Sequence, residues 1–378
     1  MKIVVAPDSF KESLSAMHAA RAIIDGFSVI FPDADYSAVP LADGGEGTVV
    51  ALVSSAHGTV ARCQVHGSRM TLVDSFLGFI DDGQTAVIEV AAACGLEQLA
   101  PTLRNPKLTT SYGVGELILQ ALDHEVSRIL IGLGGSASND GGVGMLQALG
   151  ARFLDANHQP IAAGGAALID IVDIDLSSLD PRLSQVMLEV ACDVDNLLCG
   201  PQGASAVFGP QKGADHQMIV ELDQALLHYA KCMQQQHGIE LLSIPGGGAA
   251  GGLGAALSGV LNARMKTGID LVMDAMDFDS RIQGAQLIIT GEGRLDGQSV
   301  AGKTPIGVAR RARQQGIAVI AIGGSLGKDY EKLYEQGISA VFSCINRVDS
   351  LANVLQSAEA DLKICAENLA RLWKTAQS

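Results

Sequence analysis

Arg128-Ile-Leu-Ile-Gly-Leu-Gly-Gly-Ser-Ala-Ser-Asn-Asp-Gly-Gly-Val-Gly144 decides how this chain folds. Its opening apolar run reads as a strand buried on both faces, as in parallel α/β sheets. Six glycines follow between 132 and 144. A plain strand-to-helix connection, with Ser138 or Asn139 as cap, needs fewer. Glycine lets backbone N–H groups crowd against an anion, and a following helix N-terminus adds partial positive charge. The stretch therefore predicts a phosphate-binding turn.

A second glycine-rich stretch, Leu287-Ile-Ile-Thr-Gly-Glu-Gly-Arg-Leu-Asp-Gly-Gln-Ser299, also follows an apolar run. Here acids and an arginine share the expected turn. Backbone amides for phosphate beside carboxylates for Mg²⁺ point to phosphoryl transfer.

Working outward, the chain begins with the same device. Ile3–Ala6 predicts a buried strand ending in Pro7-Asp-Ser-Phe-Lys-Glu-Ser13, and helical spacing resumes at Met17, Ala20, Ile23, Ile24 and Phe27. Ser37–Leu41 leads into Asp43-Gly-Gly-Glu-Gly47 and a helix from Thr48. Strand, acidic loop and helix, twice over, start a parallel sheet. The pattern then changes to successive strands at 60–65, 71–80 and 85–90, with Asp81-Asp-Gly-Gln84 as a hairpin turn. Helices are expected at 114–122, 219–236 and 253–263, and a further strand, Val186–Ala191, ends in Cys192-Asp-Val-Asp-Asn196. Alternation of strand and helix returns from Leu287, with Val319–Ile322 running into Gly323-Gly-Ser-Leu-Gly327. The expected architecture is α/β with two domains. Residues 1–60 plus 286–378 form a flavodoxin- or Rossmann-like parallel sheet, and 61–285 form an inserted mixed α/β domain.

Composition narrows the partners. The 378 residues carry a formal net charge of −15, and 48% are hydrophobic. Such a surface repels nucleic acid and anionic membrane, so neither is expected as a partner. No apolar run reaches the roughly 18 residues of a membrane helix, and the first strand is too short for a signal peptide. Seven scattered cysteines without CxxC spacing read as reduced thiols. A cytoplasmic enzyme of small molecules is the expectation, with homodimer formation left open.

Gly297-Gln-Ser-Val-Ala-Gly-Lys-Thr304 spells the letters of a Walker A loop. With the strand expected to end near Thr290, six residues intervene, Pro305 follows, and no later strand ends in a suitable Asp. The P-loop reading is disfavoured, although Lys303 stays a candidate cation. The glycines at 132–135 lack the G-x-G-x-x-G order, which leaves a nicotinamide-dependent hydroxy-acid dehydrogenase as the alternative class. The eight histidines show no metal-ligand spacing, and Asp270, Asp274, Asp277 and Asp279 read as a solvated helix face and caps.

Six strings in this order resemble the bacterial glycerate kinases built on a flavodoxin-like domain. They are Ala6-Pro-Asp-Ser-Phe-Lys11, Leu41-Ala-Asp-Gly-Gly-Glu-Gly47, Gly132–Gly142, Cys192–Asn196, Pro245–Gly254 and Thr290–Ser299. The resemblance implies ATP-dependent phosphorylation of D-glycerate with Mg²⁺, giving 2-phosphoglycerate as in the enteric type; 3-phosphoglycerate is the alternative product. It also implies that the inserted domain is similar to a restriction-enzyme fold. Glu12 departs from the family, which commonly has Gly there.

On this reading Lys11 and Arg294 take the substrate carboxylate, with Asp8, Ser9 and Glu46 beside them. Asp43 or Asp193 orients the attacking hydroxyl, and Lys11 completes the catalytic set. Gly134, Gly135, Ser136 and Asn139 hold nucleotide phosphates, with Lys212 and Lys303 as further cations. Asp193 and Asp296 are the Mg²⁺ candidates.

Overall fold

A computed structural model describes residues 1–42, 48–56, 58–300 and 302–377. Asp43 and Glu46 lie outside the described residues. The strands among those described are β1 (Lys2–Pro7), β2 (Asp35–Ala38), β3 (Thr59–His66), β4 (Leu72–Ile80), β5 (Thr85–Glu89), β6 (Arg128–Gly132), β7 (Arg152–Leu154), β8 (Asp173–Asp175), β9 (Met187–Ala191), β10 (Arg264–Lys266), β11 (Leu287–Leu295), β12 (Ala318–Leu326) and β13 (Ala340–Ser343). They divide between two compact units, Met1–Asp43 with Val272–Ser378, and Gly44–Leu271.

The unit built from both chain ends carries a sheet in the order β13-β12-β11-β1-β2, every neighbour parallel. Renumbered within the unit this is 2-1-3-4-5, the flavodoxin-like order, whose reversal lies between β1 and β11. Ile3 and Val5 face the helices Ala16–Ser28 and Ala358–Gln377 in one apolar cluster with Ile289 and Ile322. Helix Thr304–Gln314 packs on β1, β11 and β12, and covering both faces explains the continuous apolar runs. Ser15 starts the first helix by accepting the His18 N–H at 3.3 Å, which satisfies one of the orphan amides of its first turn.

The second unit has a mixed sheet, β10-β9-β6-β5-β4-β3. β10, β9, β6 and β5 run parallel, while β4 and β3 return antiparallel through the turn at Asp81–Gly83. A small β7–β8 hairpin, not expected from the sequence, lies apart from it. The carboxyl ends of β6 and β9 finish level, with Gly132 opposite Ala191. The cavity described below opens there.

The units part at 43/44 and 271/272, short of the expected 60/61 and 285/286. Helix Thr48–Ser55 goes with the second unit because Val49 and Val53 pack over Gly78 of β4 and Val49 N–H bonds Glu89 Oε1 at 2.7 Å. Segment 272–285 goes with the first, where Arg311 binds both Asp274 and Asp279 at 2.6 Å. Those two acids are thus ion-paired rather than merely solvated.

The second glycine-rich stretch is strand as far as Leu295 and turns only after it. β11 runs on through Gly291, Glu292 and Arg294 to Leu295, paired with β12 as far as Leu326. The two strands approach so closely that a Cβ on Gly324 would collide with the Gly293 carbonyl oxygen. Glycine here permits contact between backbones rather than a bend. The helix expected at 253–263 ends early, at Val260.

Candidate active site

At the end of β6 the chain turns through Leu133-Gly-Gly-Ser136, with Gly135 at φ +71°, where glycine is unstrained. The N–H groups of Gly134, Gly135 and Ser136 donate to no protein acceptor among the described residues. Three successive unclaimed amides form a concave donor surface suited to an anion. They line a cavity of about 320 Å³ with Ala191, Cys192 and Asp193 from the end of β9, and with Phe208, Gln211 and Lys212.

Lys212 is 2% exposed. Its Nζ donates to Ser136 Oγ at 3.0 Å and to the Ser138 carbonyl at 2.6 Å. An ammonium has three donors, so one remains for the cavity it borders. Burial pushes its pKa down to about 8, against the pull of Cys94 and Asp140. Burial likewise pushes the Cys94 thiol up to about 12, so Cys94 stays neutral and Asp140 is the local counter-charge.

Asp140 fixes the turn from behind. Its Oδ2 accepts from Thr110 Oγ1 at 3.0 Å, Ser111 N–H at 2.8 Å and Ser111 Oγ at 3.0 Å, while Oδ1 accepts from Gly142 N–H at 3.3 Å. Along the sequence nothing marks Asp140 out from the other polar residues of the turn. Asn139 is fully buried, donates to Ser205 Oγ at 3.0 Å, and is not among the residues lining the cavity. Its burial places it in the support of the turn, away from the phosphate position assigned to it.

Asp193 does line the cavity, and its Oδ1 accepts the Gly268 N–H at 2.8 Å. Asn196 ties its own loop, donating to the Gln202 carbonyl at 2.7 Å. Among the described residues no group of three or more His, Cys, Asp or Glu side chains could hold a metal. Asp193 and Asp296 belong to different units.

The first unit gathers its own polar set where the strand order reverses, the place where open α/β sheets bind ligands. Thr304 Oγ1 donates to Asp8 Oδ2 at 2.6 Å, and Ser9 N–H donates to Asp8 Oδ1 at 2.6 Å. Ser299 Oγ donates to Glu292 Oε1 at 2.6 Å, and Lys303 Nζ lies 3.6 Å from Glu292 Oε2. Arg294 is paired with Asp296 at 3.0 Å. Lys11 lines a separate cavity of about 140 Å³ with Phe10, Ser13, Gly293 and Ser325.

Because β11 reaches Leu295, only Asp296 separates it from Gly297, and helix Thr304–Gln314 follows Lys303 directly. The strand spacing argued against a P-loop is therefore removed. Lys303 and Thr304 are nevertheless engaged by Glu292 and Asp8. Glu292, Ser299 and Thr304 join this polar set, although the sequence gives them no role of their own.

A sequence model described as "Glycerate kinase family" matches residues 3–374. This chain belongs to that family. It is 52% identical over 372 residues to the glycerate kinase of Haemophilus influenzae, covering 98% of each chain. It is 50% identical over 370 residues to the glycerate 2-kinase of Escherichia coli K12, covering 98% of this chain and 97% of that one. The crystal structure of a putative glycerate kinase 2 from Salmonella typhimurium LT2 matches with a TM-score of 0.92 at 50% identity, over 100% of this chain and 99% of that one. The family is one of kinases, which removes the dehydrogenase alternative. No helix among the described residues is long and apolar enough to cross a membrane.

Proposed function

We propose that the chain transfers the γ-phosphoryl group of ATP to the C2 hydroxyl of D-glycerate, releasing ADP and 2-phosphoglycerate in the cytoplasm. The observation that supports this most is the row of unclaimed amides at Gly134, Gly135 and Ser136 beside the buried Lys212 ammonium. Together they offer fixed positive charge to phosphate oxygens at no reorganisation cost in the reaction.

The attacking hydroxyl oxygen forms a bond to the γ-phosphorus as the bond to the bridging oxygen of ADP breaks. The hydroxyl proton passes to a carboxylate, for which Asp193 is the described candidate. Lys212 donates its third N–H to a phosphate oxygen. Within the first unit, Lys11 and Arg294 are the cations on offer to a glycerate carboxylate, and Asp8 and Ser9 the partners on offer to its hydroxyls. Lys303 is a further phosphate cation.

Mg²⁺ characteristically keeps several waters and binds through one or two carboxylates plus substrate phosphates. Asp193 at the cradle, or Asp296 in the other unit, fits that demand better than it fits a cage of protein ligands. Bound there, the ion would neutralise charge on the phosphates.

The test is incubation of the pure protein with ATP, Mg²⁺ and D-glycerate, read by ³¹P NMR. The expected signals are ADP and 2-phosphoglycerate, with no ATP consumed without glycerate. A 3-phosphoglycerate signal would overturn the regiochemistry, and no transfer at all would overturn the reaction.

A further inference from the structure

We infer that the cavity beside Lys212 also holds the nucleoside of the donor, with its purine against Phe208. This rests on the kinase reading above and says which side chains select the nucleotide. Small-molecule sites run from roughly 300 Å³ upward, and this cavity of about 320 Å³ reaches that range. A three-carbon acid would leave most of it empty. Its walls combine two chemistries. Leu96, Leu133, Phe208 and Ala249 are apolar, whereas the Gly134–Ser136 amides and Lys212 are cationic or donating.

Glycerate has an oxygen on every carbon, and each one set against the apolar wall would lose hydrogen bonds to water without replacement. A purine has flat apolar faces and a polar edge, and its phosphates extend to one side. That ligand matches a site with an aromatic wall and a cationic end. One short segment supplies both. Helix Ala204–Phe208 ends in the half-buried phenyl ring, and the turn Pro210–Lys212 follows with the exposed Gln211 amide and the buried ammonium.

Other cavities of this unit suit a nucleotide less. One of about 330 Å³ collects Asp74, Glu89 and Glu97, which repel phosphate. Another, of about 380 Å³, lies at the amino ends of β9 and β10, beside Met187 and Arg264, away from the strand ends where parallel sheets bind ligands.

The experiment compares full-length wild type, Phe208→Ala, Gln211→Ala and Lys212→Met by calorimetric titration with ADP and with inorganic tripolyphosphate, alongside steady-state kinetics. Losing one stacked aromatic face is expected to weaken ADP about tenfold or more and to raise the KM for ATP similarly. Tripolyphosphate affinity and the KM for glycerate should hold in Phe208→Ala, while Lys212→Met weakens both phosphate ligands. Gln211→Ala, at an exposed position that cannot threaten the fold, should narrow the preference for ATP over GTP. Unchanged ADP affinity in Phe208→Ala together with unchanged nucleotide preference in Gln211→Ala overturns the inference. So does a rise in the KM for glycerate alone. Wild type that binds ADP through Phe208 yet never phosphorylates glycerate sinks the reaction but leaves this site standing. Wild type that phosphorylates glycerate with ADP binding indifferent to both substitutions sinks only the site.

Discussion

Replacing Lys212 by Met should leave the protein at least as stable at pH 7 while crippling its use of ATP. Most substitutions of a buried residue destabilise, so the sign is diagnostic. Burial lowers the Lys212 pKa from 10.5 to about 8. At about 1.36 kcal/mol per unit, folding with this lysine charged costs roughly 3 kcal/mol relative to folding with it neutral. Met fills a similar volume without charge and removes that cost. The substitution also strips the Ser138 carbonyl of its donor, a loss of about 1–3 kcal/mol, whereas the Ser136 hydroxyl can rotate to another partner. The two effects nearly cancel or leave a small gain.

The pH dependence separates them. A lysine whose folded pKa is lowered binds fewer protons folded than unfolded, so stability rises with pH between the two values. From pH 7 to pH 10 wild type should gain roughly 2–3 kcal/mol relative to Lys212→Met, about 5–10 °C in the melting temperature of a unit this size. Other groups titrate over that range in both proteins and drop out of the difference. The assay is thermal unfolding of the two full-length proteins at pH 7 and pH 10, with the KM for ATP measured across the same range. Wild-type KM should climb above pH 8 as the ammonium loses its proton, and the variant's should stay high and flat. A variant that melts several degrees below wild type at both pH values would refute the reasoning. It would mean that Asp140 fully compensates the buried charge.

Glu12 sits at φ +66°, a region that strains every residue but glycine and, less so, Asn and Asp. Glu12→Gly should therefore raise stability by up to about 1 kcal/mol in chemical denaturation, and kcat should not move. Glu189 is buried between Arg128 and Lys266, the latter at 2.7 Å; burial raises its pKa, but the two cations outweigh this and hold it below the usual 4.5. Its contribution is thus present above that value and fades as pH falls through the lower folded one. Glu189→Gln should cost about 2–4 kcal/mol at pH 7, shrinking in acid, as read from urea midpoints. Gly324→Ala would drive a methyl into the Gly293 carbonyl and part the β11–β12 ribbon. kcat/KM for glycerate should drop more than tenfold while calorimetric ADP affinity holds.

The parallel unit was legible because its central strands β1, β11 and β12 are continuous buried apolar runs, whereas the polar edge strand β2 falls at Asp35–Ala38, short of the expected Ser37–Leu41. That β6 and β9 lie side by side and end level, so that Ser136 and Asp193 line one cavity, was not legible along the chain. Nor was the burial of Lys212. Pro210-Gln-Lys-Gly213 has the letters of a surface turn, and only the approach of the segment to Ser138, 74 residues earlier, encloses the ammonium. Thr304 and Asp8 stand 296 residues apart, and their pairing follows from β1 lying beside β11. Periodicity along the chain carries no such information. The early domain boundary was missed for a related reason: Val49 and Val53 are apolar at helical spacing whichever unit they cover.

The two glycine-rich stretches differ in outcome because their neighbours differ. β6 ends where β5 and β9 also end, with Gly132 opposite both Glu89 and Ala191. The chain leaving β6 finds no ladder to join, must turn, and leaves three amides unclaimed. β11 loses β1 at Gly291 but keeps β12, with Glu292 opposite Gly323 and Arg294 opposite Ser325. Its glycines are held in a two-stranded ribbon, and what that ribbon offers a ligand is side chains. The first stretch can therefore meet a polyanion with fixed backbone dipoles, which need no reorganisation as charge shifts among the phosphate oxygens during transfer. The second presents Glu292, Arg294 and Asp296, adjustable groups suited to a small acid bearing hydroxyls. Extending β6 by one paired residue would withdraw an amide from the cradle, whereas shortening β11 would remove the arginine from its acid. Where each strand stops relative to its neighbours sets which chemistry its glycines serve.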